Sequence, residues 1–214
     1  MKLAAHDGLA ETRRRTLIGI ALRRQKPGTG SLIQPKGAPV LVHWPDLTHA
    51  LVGIPWAVIG AVATRSYMPE HATRDLDVLI RAEDRQRVTE QLADTGFSGT
   101  GRLAIGGSTW RAPDGTPVDV IEGEDEWVAA ALAEAQANLD PQGLPTLPLP
   151  YLVLMKLAAS RVQDVADVSR MMARADDVQL SRTRALIQKY EPDAVEDLES
   201  LIFLGKMEMG AEPS

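Results

Sequence analysis

The sequence predicts an α/β (α+β) fold: a mixed sheet flanked by helices, followed by a C-terminal helical part. Two observations predict it. Between residues 55 and 121, short runs of apolar, often β-branched residues bounded by Gly and Pro alternate with longer amphipathic segments. Beyond the Pro-rich stretch LDPQGLPTLPLP, only helical periodicity remains.

The elements follow in order. Residues 11–25 read as a helix with Leu17, Ile18, Ile20, Ala21 and Leu22 on its apolar side. The stretch KPGTGSLIQPKGAP reads as a linker. Asp46 is placed to cap a short helix reaching Val52, and Pro55 to Gly60 reads as a buried strand. Then come a helix over 61–67, a strand over 75–80, and a helix over 83–93 that stops near Gly96. Strands over 97–105 and 108–111 meet at Gly106-Gly107, a hairpin signal. A turn at Pro113-Asp114-Gly115 leads into a strand over 117–121. Residues 124–138 read as a helix with acids in its first turn, where the helix dipole favours them. The tail adds helices over 180–189 and 194–207. The expected divisions are 1–45 for a basic helix and linker, 46–140 for the mixed core, and 141–214 for the helical region.

Composition narrows the function classes. The chain has 214 residues, 44% hydrophobic and 24% charged, with 4% aromatics, so aliphatic packing builds the core. It has no cysteine, which excludes disulfides, thiolate zinc sites and cysteine nucleophiles. The longest apolar run, Leu51 to Ala63, is 13 residues, and a spanning helix needs about 20. His6, Asp7 and Glu11 interrupt what would be a signal-peptide core, so a cytoplasmic protein with no membrane partner is expected. The net charge is −6, yet residues 1–40 carry eight Lys or Arg against Asp7 and Glu11. Such an arm serves RNA or an acidic protein partner, or is simply a solvated helix face.

The chemistry concentrates in AVIGAVATRSYMPEHATRDLDVLI, residues 57–80. Asp75 and Asp77 lie two apart at the start of a strand, so both carboxylates project to one face while Leu76 points inward. Two adjacent acids repel unless a cation lies between them or a proton is kept. Carboxylate oxygens are the hard ligands Mg²⁺ prefers. Asp119, alone in the apolar run Val118 to Ile121, is the third acid, because a buried unpaired carboxylate is costly. Asp114 and Glu122 suit a turn and a strand end instead. The four histidines show no ligand spacing.

Ile59-Gly60-Ala61, thirteen residues, then Asp75-Leu76-Asp77-Val78 resembles the DNA polymerase β-like nucleotidyltransferase superfamily. Thr73 before the first Asp, together with KLAASRVQDVAD, is similar to the AbiEii-like toxin nucleotidyltransferases. In that segment Lys156, Arg161, Asp164 and Asp167 hold the spacing of a family helix, although Lys156, Ser160, Asp164 and Asp167 also fit a solvated helix face. The resemblance covers residues 50–172 and implies a nucleotidyltransferase-type sheet. It implies two Mg²⁺ ions, or Mn²⁺, on Asp75, Asp77 and Asp119, with a nucleoside triphosphate at Gly60, Ala61, Arg65 and Lys156. Thr73, Arg161 and Asp164 would support the site. The implied acceptor is a tRNA 3′ end, another RNA, a protein hydroxyl or a small molecule, and the implied partner is a cognate antitoxin. Ala61 departs from the usual Gly or Ser, and His71 from the usual Arg. A catalytically silent nucleotide- or partner-binding module, or an antitoxin-type protein, is the alternative.

Overall fold

The computed structural model describes residues 8–24, 43–68 and 73–210, so the linker over 26–39 and His71 lie outside the described residues. In chain order, α1 spans Gly8–Arg24, β1 Ala57–Val58, α2 Gly60–Thr64, β2 Leu76–Arg81, α3 Arg85–Asp94, β3 Ser98–Arg102 and β4 Gly107–Arg111. They are followed by β5 Pro117–Gly123, α4 Val128–Ala135, α5 Leu149–Ala159, α6 Val162–Arg174, α7 Asp177–Tyr190 and α8 Val195–Glu208. Among the described residues these form two compact units: 43–66 with 73–148, and 8–24 with 67–68 and 149–210. No helix among the described residues is long and apolar enough to cross a membrane.

The first unit is a mixed α/β structure around a five-stranded sheet of order β1-β2-β5-β4-β3. Strands β2 and β5 run parallel at its centre, and the remaining pairs are antiparallel. Alternation explains the two faces. Leu76, Val78 and Ile80 of β2 line one face with Val118 and Val120 of β5, all at most 1% exposed. Leu79 and Ile121 are buried on the other face. Gly123 lets α4 close on that face, since a Cβ there would stand 2.8 Å from Val128 Cγ2 and 3.1 Å from Leu79 Cδ1. At the leading end of the same face the alternating positions are Asp77 and Asp119, both half-buried.

The second unit is all-helical. Helix α1 packs on α8, α6 and α5, while α5 meets α7 and α6 meets α8. Gly205 permits the α6–α8 approach, because a Cβ would lie 2.1 Å from the Ser169 carbonyl oxygen. Arg14 is buried here. Its Nε donates to Asp197 at 2.6 Å, and its Nη1 donates to the Leu157 carbonyl at 2.9 Å and Ser160 Oγ at 3.1 Å. That satisfies most of a guanidinium's donors, which a buried charge requires.

Several elements differ from the sequence expectation, each for a local reason. The strand expected over 55–60 shrinks to Ala57–Val58, because Gly60 turns the chain with φ +62° into α2. The helix expected to reach Val52 is a pair of hydrogen-bonded turns, with Asp46 accepting from the Thr48 amide at 2.9 Å. The strand expected over 97–105 ends at Arg102, where Leu103 to Gly106 close the hairpin loop through Gly106 N–H donating to the Leu103 carbonyl. The helix expected over 124–138 is Val128–Ala135, its flanks drawn into four-residue turns at Asp125–Val128 and Ala135–Asn138. The single helix expected over Lys156 to Asp167 is two, since Ser160 adopts φ +52° between α5 and α6. Helix α7 starts earlier than Leu180 because Asp176 and Gln179 form a capping box.

Candidate metal centre

Three carboxylates converge where the centre of the sheet begins. Asp77 and Asp119 are direct cross-strand partners on the parallel pair β2–β5. Asp75 lies just before β2, two residues from Asp77 and therefore on the same side. One oxygen from each of Asp75, Asp77 and Asp119 lies within 4.8 Å of the others, and all three residues are half-buried. Among the described residues this is the one such grouping of potential metal ligands.

Charge and burial act together on the cluster. Partial burial, and then the negative charge of Asp75, push the Asp119 carboxyl above the usual carboxylate range. A divalent cation among the three would oppose both effects by favouring the ionised carboxylate. Thr73 donates its hydroxyl to Asp75 Oδ1 and so holds that carboxylate from the entering loop. The donor set is all carboxylate oxygen, which fits a hard divalent ion.

The chain before the cluster is shaped to it. The Ile59 amide donates to the Asp77 carbonyl at 2.9 Å, and Gly60 follows at φ +62°. A Cβ on Gly60 would stand 1.9 Å from Asp77 Oδ2. Only glycine meets both the left-handed backbone and the contact, so the small residue ahead of the Asp pair is a steric requirement. Ala61 is the second residue of the short helix α2, which Gly60 opens.

The other sequence-predicted residues have definite places. Arg65 caps the end of α2, its guanidinium carbon 5.3 Å from the centre of the Trp44 ring. Lys156, Arg161, Asp164 and Asp167 form their own cluster in the helical unit. Lys156 Nζ lies 2.8 Å from Asp167 Oδ2 and 3.2 Å from Asp164 Oδ1, and Arg161 Nε lies 2.6 Å from Asp164 Oδ2. Lys156, Asp164 and Asp167 are buried, so these charges are not a solvated face. Asp114 caps its turn by accepting from the Thr116 amide at 2.8 Å. Glu122 is buried, with Arg85 at 3.6 Å and Arg102 at 3.7 Å.

One neighbour of the cluster escapes the sequence reading. Thr109 on β4 is the cross-strand partner of Asp119, so the row Asp77–Asp119 continues onto a hydroxyl. Its alternation with buried Trp110 was the available signal, but no motif marks it.

No family model matches the chain, and no curated protein matches it. Among solved structures it is similar to the solution structure of the antibiotic-resistance factor ANT(2'')-Ia. That match is 14% identical at a TM-score of 0.41 and covers 70% of this chain and 80% of that one. It is also similar to the crystal structure of ANT(2'')-Ia in complex with adenylyl-2''-tobramycin, 15% identical at a TM-score of 0.39, covering 70% and 87%.

Proposed function

We propose that this chain is a metal-dependent nucleotidyltransferase that uses Asp75, Asp77 and Asp119 to hold two Mg²⁺ ions, or Mn²⁺. The observation that carries this reading is the convergence of the three carboxylates within 4.8 Å, with Gly60 stripped of a side chain against Asp77. When bound, the ions neutralise phosphate charge and acidify an acceptor hydroxyl.

The residues then have distinct tasks. Asp75 and Asp77 bind on the nucleotide side, with Thr73 fixing the Asp75 carboxylate. The amides at Gly60 and Ala61 face the triphosphate, and Arg65 lies one turn further on to meet it. Asp119 faces the acceptor. The acceptor oxygen attacks the α-phosphorus, the bond from that phosphorus to the bridging oxygen breaks, and pyrophosphate leaves. The proton passes from the acceptor hydroxyl to Asp119, the carboxylate on the acceptor side.

The finer reading is a toxin of the AbiEii-like kind, moving a nucleotide to a tRNA 3′ end, another RNA or a protein hydroxyl, with a cognate antitoxin as partner and the cytoplasm as its compartment. Thr73 before the Asp pair and the Lys156–Asp167 spacing support it. A small hydroxylated acceptor such as tobramycin is the competing substrate class. A second reading rests on Ala61, which lacks the hydroxyl a serine would offer the phosphates: a catalytically silent nucleotide-binding module.

Incubation with each labelled nucleoside triphosphate, Mg²⁺ and either total RNA or tobramycin tests the proposal. Transfer by the wild type and none by Asp77→Ala is expected. Equal transfer by both proteins overturns the assignment, and nucleotide binding without transfer favours the silent module.

A further inference from the structure

The acidic row does not stop at Asp119. On the same sheet face the next strand offers Thr109, directly opposite Asp119, at a side-chain separation of about 5 Å for cross-strand partners. The strand beyond should by regular pairing set Thr100 opposite Thr109, but the β3–β4 register shifts between Gly99 and Gly101. Gly101 takes the place opposite Thr109, and Thr100 becomes the extra residue of a bulge. Bulges re-aim side chains. Here Thr100 comes over Thr109, and the two hydroxyl oxygens lie 2.8 Å apart.

The surroundings keep that pair open. Every residue of β3 is exposed, and its sequence SGTGR places glycine on both sides of Thr100. A Cβ on Gly101 would stand 3.2 Å from Thr109 Oγ1, crowding the hydroxyl. Gly99 lies on the Trp110 ring, a Cβ there meeting Cζ3 at 3.5 Å. The result is a shelf that continues from Asp119, carries two hydroxyls and presents no apolar side chain of its own strand.

We infer that Thr100 and Thr109 are positioning residues for the acceptor, binding two neighbouring hydroxyls of a sugar ring so that one is presented to Asp119. This rests on the proposed nucleotidyltransferase reading. Two hydroxyls in contact offer a donor and an acceptor side by side, the arrangement that a vicinal diol matches with its own pair. Arg111, two residues from Thr109 on the same face of β4, donates Nη1 to the Gly115 carbonyl at 2.9 Å, so the neutral groups this shelf offers an acceptor are the two hydroxyls. The shared chemistry is a ribose-type diol, carried by an RNA 3′ end or by a free nucleoside.

The test uses the full chain with Mg²⁺ and a non-hydrolysable nucleoside triphosphate analogue. Fluorescence anisotropy compares an oligoribonucleotide ending in a 2′,3′-diol with the same oligonucleotide ending in a 2′,3′-dideoxyribose, with adenosine as competitor. The wild type is expected to prefer the diol end, or to bind adenosine, by about tenfold over the matching probe without hydroxyls, as for two neutral hydrogen bonds. The double variant Thr100→Val/Thr109→Val loses that preference while its affinity for the triphosphate analogue stays within about twofold. Thr100→Ser/Thr109→Ser keeps the preference, which separates lost hydroxyls from a disturbed bulge. Displacement by adenosine assigns the subsite to nucleosides, and its failure assigns the subsite to RNA ends. A wild type indifferent to the diol, or a valine variant that still prefers it, overturns the inference. Failure of the nucleotidyltransferase reading shows separately, as analogue binding unaffected by Asp77→Asn.

Discussion

Gly60 lies so close to Asp77 that a methyl group at position 60 would stand 1.9 Å from the carboxylate oxygen Oδ2. The chain must therefore either keep glycine there or move the central acid of the cluster.

Gly60→Ala is expected to carry two penalties, a left-handed backbone unsuited to an L side chain and displacement of Asp77. The first alone costs about 1–2 kcal/mol, and urea denaturation should show at least that loss. Divalent-ion affinity, followed by Mn²⁺ titration, should fall with it. A variant as stable as the wild type with unchanged Mn²⁺ binding would refute the steric account.

Asp119→Asn should stabilise the protein when no divalent ion is present. The Asp119 carboxyl has a folded-state pKa raised above its ordinary value by burial and by Asp75, so the folded state holds the proton longer than the unfolded chain does. The fully ionised site thus opposes folding: stability declines as pH rises from the unfolded value, near 3.8, through the folded one. Thermal melts in chelator should show the variant above the wild type at pH 7 and the gap closing below pH 4. Adding Mg²⁺ should raise the wild-type melting temperature and leave the variant unmoved. A variant less stable than the wild type in chelator contradicts the electrostatic picture.

Lys156→Met leaves Asp164 and Asp167 buried without the ammonium that bridges them. Breaking a buried pair from one side costs about 3–5 kcal/mol. Denaturation should show a loss of that order, against less than about 1 kcal/mol for Arg184→Ala, whose partner Glu199 is exposed with it. Similar small losses in both would return Lys156 to the surface role that its spacing alone allows.

The acidic cluster was legible because its signals are local. Period-two spacing put Asp75 and Asp77 on one side, and an isolated acid among Val118, Val120 and Ile121 marked Asp119. What sequence could not supply was register. That Asp77 and Asp119 are direct partners depends on the parallel pairing of β2 with β5, a contact between segments about forty residues apart. The bulge at Thr100 escaped for the same reason, since the residues of SGTGR carry no pattern until β4 pairs with them. The break at Ser160 was hidden in another way. KLAASRVQDVAD has continuous helical propensity, and Arg14 and Asp197, far away in sequence, tie down the strained turn.

On the proposed function, Asp75, Asp77 and Asp119 bind a nucleoside triphosphate through divalent ions. Calorimetric titration of the wild type and of Asp75→Asn/Asp77→Asn with each non-hydrolysable triphosphate, in Mg²⁺ and in chelator, tests it most directly. Wild-type binding should require Mg²⁺ and fall at least about 100-fold in the variant, as expected when metal ligands are lost. Binding that is equal with and without Mg²⁺, or equal in the two proteins, would contradict it.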